Sequence, residues 1–334
     1  MSWLDIFRKR AEEWVFSPLA AAQVPEEPKA NNAIGADDGY VTITLRSMRI
    51  VNVRKFTTKF YGVVHSFVSL DHSSGTDAVF QNVTTPSELK KIDPKNLDRV
   101  IAVNMPVIEQ VPYRGGNVSL EMGLFSVKET DLAAPFIDLL ETMSKQAGVA
   151  VISAAAPFVQ PLKKGIDAII GTDSDTILEI GVSTNFNPPK TGWFVIMRAP
   201  KEDNIVPSLM VTPTDFRLVD KETAKPVKDY PYMVFTITHS RQRDDWFKLP
   251  YLKESYQKIQ DALRQGKYTD AQEQLVVFKR AALTSGDLLL DDALRINKLV
   301  EEKLKTVMDA TMTAKSIKES IQLMPELEEL PLYQ

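Results

Sequence analysis

Ser240-Arg-Gln-Arg-Asp-Asp-Trp-Phe-Lys-Leu-Pro-Tyr-Leu252 divides the chain in two. Before it, apolar residues recur with a period of two, which marks strands. After it they recur every three to four residues, which marks helices. The stretch itself packs two arginines, two aspartates and a Trp-Phe pair ahead of a proline. Pro250 suits the first turn of a helix, where a missing N–H costs nothing, and the aspartates just upstream suit its positive end. We read the stretch as an interdomain lock. Trp246 and Phe247 form the plug, and Arg241 and Arg243 pair with Asp244, Asp245 or acidic positions of the other domain.

Working outward toward the C-terminus, Leu252, Tyr256, Ile259 and Leu263 fall on one helical face. Gly266-Lys-Tyr-Thr-Asp270 is a turn, with Thr269 and Gln272 at capping-box spacing. Ala271, Leu275, Phe278 and Ala282 line a second helix. Ser285-Gly-Asp287 is a second turn. A third helix follows from about Leu288 to Met312, with Leu289, Ala293, Ile296, Val300 and Val307 as its face. Short turns between helices predict a small antiparallel bundle over 241–322.

Toward the N-terminus the pattern is that of strands. Val41, Ile43 and Leu45 alternate with Thr42, Thr44 and Arg46. Thr58 to Leu70 is a long run of aromatic and β-branched residues. Val100 to Val111 is strand-like but broken by Pro106. Tyr113-Arg-Gly-Gly116 reads as a hairpin turn into the alternating Val118–Leu124. Further strands are expected at 176–182, 192–197, 209–219 and 232–238. Between them, about 131–170 reads as a helical insertion. The expected fold is α+β: a mostly antiparallel β-sandwich-like domain over 39–240, followed by the helical domain.

The two ends read differently from the body. Trp3, Phe7, Ala11 and Trp14 share one face of an expected amphipathic helix over 1–16. Residues 17–38, with Pro18, Pro25 and Pro28, read as a linker that tethers this helix. The charged side chains of the helix cancel, so protein docking is preferred over anchoring to an anionic membrane surface. At the other end, 323–334 is an acidic tail. Its Leu327, Leu330, Leu332 and Tyr333 are the residues a partner groove would take.

Bulk composition narrows the chemistry. The chain has 334 residues, enough for two or three domains, and a formal net charge of −4. That charge argues against nucleic acid as a partner, because displacing counterions from phosphates needs a cationic surface. There is no cysteine, so disulfides, thiol catalysis and Cys-ligated metals are excluded. Only His65, His72 and His239 are available as imidazoles. No phosphate-binding glycine motif and no nucleophile elbow is found. Asp37 and Asp38, Asp71 with Asp77, and Asp173 with Asp175 fall in expected loops. If such loops met, their oxygens would suit calcium, an arrangement that resembles C2-type lipid-binding sandwiches in architecture alone. Turn chemistry explains these aspartates with fewer assumptions.

No run of about 18 apolar residues occurs, and no targeting segment stands out, so the cytoplasm is the expected compartment. The expected function is a non-enzymatic adaptor, scaffold or regulatory protein working through protein partners, with no cofactor. The alternatives are a peripheral lipid-binding protein and a cryptic hydrolase using His72 or His239.

Overall fold

The computed structural model describes residues 14–51, 54–55, 58–71, 78–83, 100–128, 177–199 and 204–312. The expected helical insertion at about 131–170, the acidic tail, and Trp3, Phe7, Leu330, Leu332 and Tyr333 lie outside the described residues. The chain is mixed α+β, with antiparallel sheets followed by C-terminal helices. It divides into two compact units, Met1–Ser240 and Arg241–Gln334.

The first unit holds two main sheets. One takes β1 (Trp14–Pro18), β9 (Gly192–Arg198), β12 (Tyr232–Ser240), β2 (Tyr40–Arg49) and β6 (Val100–Pro112) in that spatial order. The other takes β3 (Arg54–Lys55), β4 (Thr58–Leu70), β7 (Val118–Lys128) and β8 (Ile177–Phe186), with β5 (Ala78–Val83) paired to β4. All of these pairings are antiparallel. Period-2 alternation decides which residues meet. Val41, Ile43 and Leu45 of the first sheet and Val118, Leu120, Met122 and Leu124 of the second belong to one apolar cluster. Each such fully buried side chain contributes roughly 1.5–3 kcal/mol.

β9 departs from alternation because both of its faces are covered. Phe194 and Ile196 join the cluster shared by the two sheets. Trp193, Val195 and Met197 pack on the other side against Leu19, Val24, Leu209, Val211 and Leu218. The last three come from the small hairpin of β10 (Leu209–Val211) and β11 (Leu218–Asp220) and its flanks. A strand buried on both faces has no polar side to present, hence the uninterrupted Trp-Phe-Val-Ile-Met.

Four expectations are corrected in this unit. Trp14 to Phe16 do not continue a helix. They form β1, in register with Arg198 to Ile196 of β9. The Phe16 ring stacks at 5.8 Å on Phe194 and 6.2 Å on Phe235, so sheet pairing and aromatic packing override the local helical period.

Residues 17–38 are not a free linker. Leu19, Val24 and Ile34 are buried. The Gln23 amide donates to Val206 O at 2.7 Å and Leu209 O at 2.8 Å. The Leu19 and Ile34 amides donate to Trp193 O and Pro189 O. Prolines erase periodicity here, yet three apolar anchors suffice to strap the segment down. Nor does Pro106 break β6. β6 is an edge strand, where a missing N–H is tolerated, and the ladder adjusts by register shifts, with Asn104 and Gln110 at positive φ. Finally, Tyr113–Gly116 does not close a hairpin. β7 pairs with β4 and β8, so the turn passes from one sheet to the other.

The second unit opens with a single helical turn, Trp246–Lys248. α1 (Pro250–Arg264), α2 (Tyr268–Leu283) and α3 (Leu290–Met312) follow. Pro250 stands in the first turn of α1. Gly266, at φ +70°, ends it: its N–H reaches Leu263 O and that of Lys267 reaches Ala262 O, satisfying two orphan carbonyls. The anticipated Thr269–Gln272 capping box is not formed, since α2 starts two residues earlier than it requires, with Lys267 as its cap. The interior is Leu252, Tyr256, Ile259, Leu263, Ala271, Leu275, Phe278, Ala282, Ala293, Ile296, Val300 and Val307, all buried. A 2.7 Å ion pair between Lys279 and Glu301 and a hydrogen bond from Asn297 Nδ2 to Lys279 O tie α2 to α3.

Candidate functional site

The junction residues build a buried polar cluster within the helical unit. The side chain of Arg243 is fully buried, and its Nε donates to Asp245 Oδ1 at 2.8 Å. Its backbone N–H donates to Asp292 Oδ2 at 2.8 Å, and its Nη1 to Asp287 O at 3.3 Å. Asp292, in the first turn of α3, also accepts from Arg295 Nε at 2.7 Å. The Tyr251 hydroxyl bonds Ser285 and donates to Asp287 Oδ2 at 3.2 Å. Burial first, then the Asp287 carboxylate, push the Tyr251 phenol far above its usual range, so it stays a donor.

Trp246 is fully buried beside this cluster in sequence. Its ring meets Phe247, Tyr256 and Phe278 edge-on at 6.1, 6.2 and 5.9 Å. Its Nε1, like Asp245 Oδ2, is buried with no hydrogen-bond partner among the described residues. The structure therefore brings Arg243 and Asp245 together with Asp287 and Asp292, more than forty positions away, while Tyr251 of the same stretch reaches Asp287. Asp244 is half-buried and Arg241 exposed on the same segment. Chemically, the cluster clamps the chain's entry into the helical unit to the start of α3: its guanidinium and backbone donors are engaged by carboxylates and a carbonyl.

A second gathering lies at the rim of the β unit. The turn before β2, the β6–β7 connection and the end of β12 meet there. The Asp37 N–H donates to Tyr113 O and that of Tyr113 to Gly39 O. Arg114 stands 3.7 Å from Asp37, and His239 Nε2 lies 3.3 Å from Asp38 O. The glycine turn at 115–116 forms a concave backbone around the Asp71 carboxylate. Asn117 N–H donates to Asp71 Oδ2 at 2.9 Å, and a Cβ on Gly116 would stand 2.1 Å from that oxygen. Such a backbone nest suits an anion, and here the anion is the chain's own Asp71. Burial, followed by that carboxylate, raises the Tyr113 phenol.

Among the described residues no group of three or more His, Asp or Glu is placed to hold a metal. Asp77, Asp173, Asp175 and His72 lie outside them. His65 is buried in β4, and desolvation lowers its imidazole to about 3, so it is neutral at neutral pH. No described helix is long and apolar enough to cross a membrane.

The feature sequence reasoning missed is on the outside of the helical unit. Val276, Val277, Leu283, Leu290 and Leu294 are 45–62% exposed. Val51 is the one other large exposed hydrophobic among the described residues. Val276 and Leu283 lie on α2, and Leu290 and Leu294 open α3, so the group clusters about the α2–α3 hairpin. A signal did exist: once Leu275 and Phe278 are assigned to the core stripe of α2, Val276 and Val277 fall off it.

No family model matches this chain, no curated protein matches it, and no solved structure matches it.

Proposed function

We propose that this protein is a non-enzymatic adaptor or scaffold that works through protein–protein contacts, the outer face of the α2–α3 hairpin being one of its contact surfaces. The observation that carries this reading is the concentration of exposed apolar side chains on that hairpin. Apolar groups gathered in one place, unlike the single ones common on any surface, mark interaction sites. The β unit, whose two sheets share one apolar cluster, is in this reading a sandwich-like body that carries the helical unit. The terminal residues Trp3, Phe7, Leu330, Leu332 and Tyr333 belong to the same proposal as further contact elements.

The test is recovery of bound proteins from cells that naturally express the chain, with wild type compared against a Val276→Asp, Val277→Asp, Leu294→Asp variant. Loss of specific proteins from the variant, with unchanged helical circular dichroism, supports the reading. Identical recovery contradicts it.

A further inference from the structure

The exposed face of α2 carries an order of residues that reads the same when the helix is reversed. Glu273, Val276, Val277 and Arg280 stand at i, i+3, i+4 and i+7, one stripe of the helix surface. Lay a second α2 antiparallel on this stripe, with a twofold axis between Val276 and Val277. Val276 then meets Val277 of the partner subunit, and Glu273 meets Arg280 of the partner subunit. Thr269 meets Thr284 of the partner subunit in the same register.

Every one of these residues is exposed within the folded chain. Neither Glu273 nor Arg280 makes an ion pair among the described residues, whereas their neighbour Lys279 is engaged with Glu301 at 2.7 Å. Two adjacent β-branched residues facing water on a helix gain nothing from helix propensity, and here they gain nothing from the core either. A twofold interface is by necessity self-complementary, and this stripe has the charge order that such an interface requires.

We infer that two copies of this chain associate through α2, antiparallel, about a twofold axis between Val276 and Val277. The inference rests on reading the α2–α3 face as a contact surface, and it names the occupant: a second copy. Leu283, Leu290 and Leu294 extend the apolar surface at the C-terminal end of α2, beside the first turns of the partner's α2. The contact is small, so the dimer belongs to the weak, reversible class.

The experiment is light scattering and sedimentation equilibrium on the full chain, up to about 300 μM, a range that populates contacts of this size. Wild type is expected to shift toward twice the monomer mass. Glu273→Arg alone, or Arg280→Glu alone, places like charges opposite each other twice per dimer and is expected to weaken association by roughly tenfold or more. The double variant E273R/R280E restores complementarity and is expected to associate as wild type does. So is an equimolar mixture of the two single variants.

A monomeric wild type at the highest concentration overturns the inference. So does a double variant as weak as either single one, because the two charges are then not facing each other. The reading of the face itself fails separately. If wild type is monomeric while V276D/V277D loses specific proteins from the cell recovery, the second copy is the wrong occupant and the contact surface stands. If V276D/V277D changes neither mass nor recovery, both fall.

Discussion

Trp246→Ala offers the most direct probe of how the helical unit is held together. The indole is fully buried and meets Tyr256 of α1 and Phe278 of α2 edge-on. A tryptophan buries roughly 150–250 Å². At about 25 cal/mol per Å² that is ~4–6 kcal/mol of apolar burial. Residual burial in the unfolded chain lowers the figure, and truncations of this kind cost about 3–5 kcal/mol. The expected loss is therefore about 4 kcal/mol. For a unit of this size it lowers the melting temperature by roughly 15–30 °C.

Trp246→Phe supplies the control. It keeps an aromatic ring in place and removes a buried N–H that has no partner among the described residues. An unsatisfied donor costs about 1–3 kcal/mol, which offsets the lost ring volume, so this variant should stay within about 1.5 kcal/mol of wild type. The assay is denaturant unfolding followed by helical circular dichroism, with amide hydrogen exchange in β2, β9 and β12 as a separate report from the β unit. The helical transition should move and the β-unit protection should hold. A loss below about 1.5 kcal/mol for Trp246→Ala would refute the packing argument. Equal shifts in both signals would show instead that Trp246 locks the two units together, as the sequence alone suggests.

Two further outcomes follow from the β unit. His65 resists protonation down to about 3 when folded, whereas an unfolded histidine protonates near 6.5. The unfolded state thus binds more protons between those values, and stability falls as pH drops through that window, by at most about 1.4 kcal/mol per pH unit, with no contribution above it. Denaturant midpoints should show a shallower acid slope for His65→Leu than for wild type; identical slopes would refute the burial argument. At the rim, a Cβ on Gly39 would stand 2.3 Å from both His239 Nε2 and Ser240 O. Because the second is backbone, Gly39→Ala should cost about 1–3 kcal/mol, and an unchanged melting temperature would count against the close approach.

Much of the architecture is legible from residue patterns because burial on one face imposes a period. The alternation of Val41, Ile43 and Leu45 and the helical spacing of Leu252, Tyr256, Ile259 and Leu263 each emerge as buried faces. The division after Ser240 falls where the period changes. What fails to show has a physical reason in each case. β1 is five residues long and stabilised by partners nearly two hundred positions away, so its local helical period misleads. The strap through Leu19, Val24 and Ile34 is aperiodic because prolines and turns space its anchors irregularly. The destination of β7 is invisible locally, since the same glycine turn serves a hairpin or a passage between sheets.

The site was legible only in part. Arg243, Asp245, Trp246 and Phe247 stand out by density of chemistry, but Asp287 and Asp292 reach Arg243 through tertiary folding. The outer face of α2 hides for a different reason. Val276 and Val277 sit beside Leu275 and Phe278, and an unbroken apolar run reads as core until the helix is placed.

Site-specific photo-crosslinking at Val277, in cells that naturally express the chain, tests the central claim most directly. A photoreactive residue at that position should give discrete covalent protein adducts, the chain's own dimer among them. The same residue at Lys190, exposed in the β unit, serves as the reference. Adducts concentrated at position 277 are the predicted result. Adducts no more frequent there than at position 190 would contradict the account, because a contact surface must be touched.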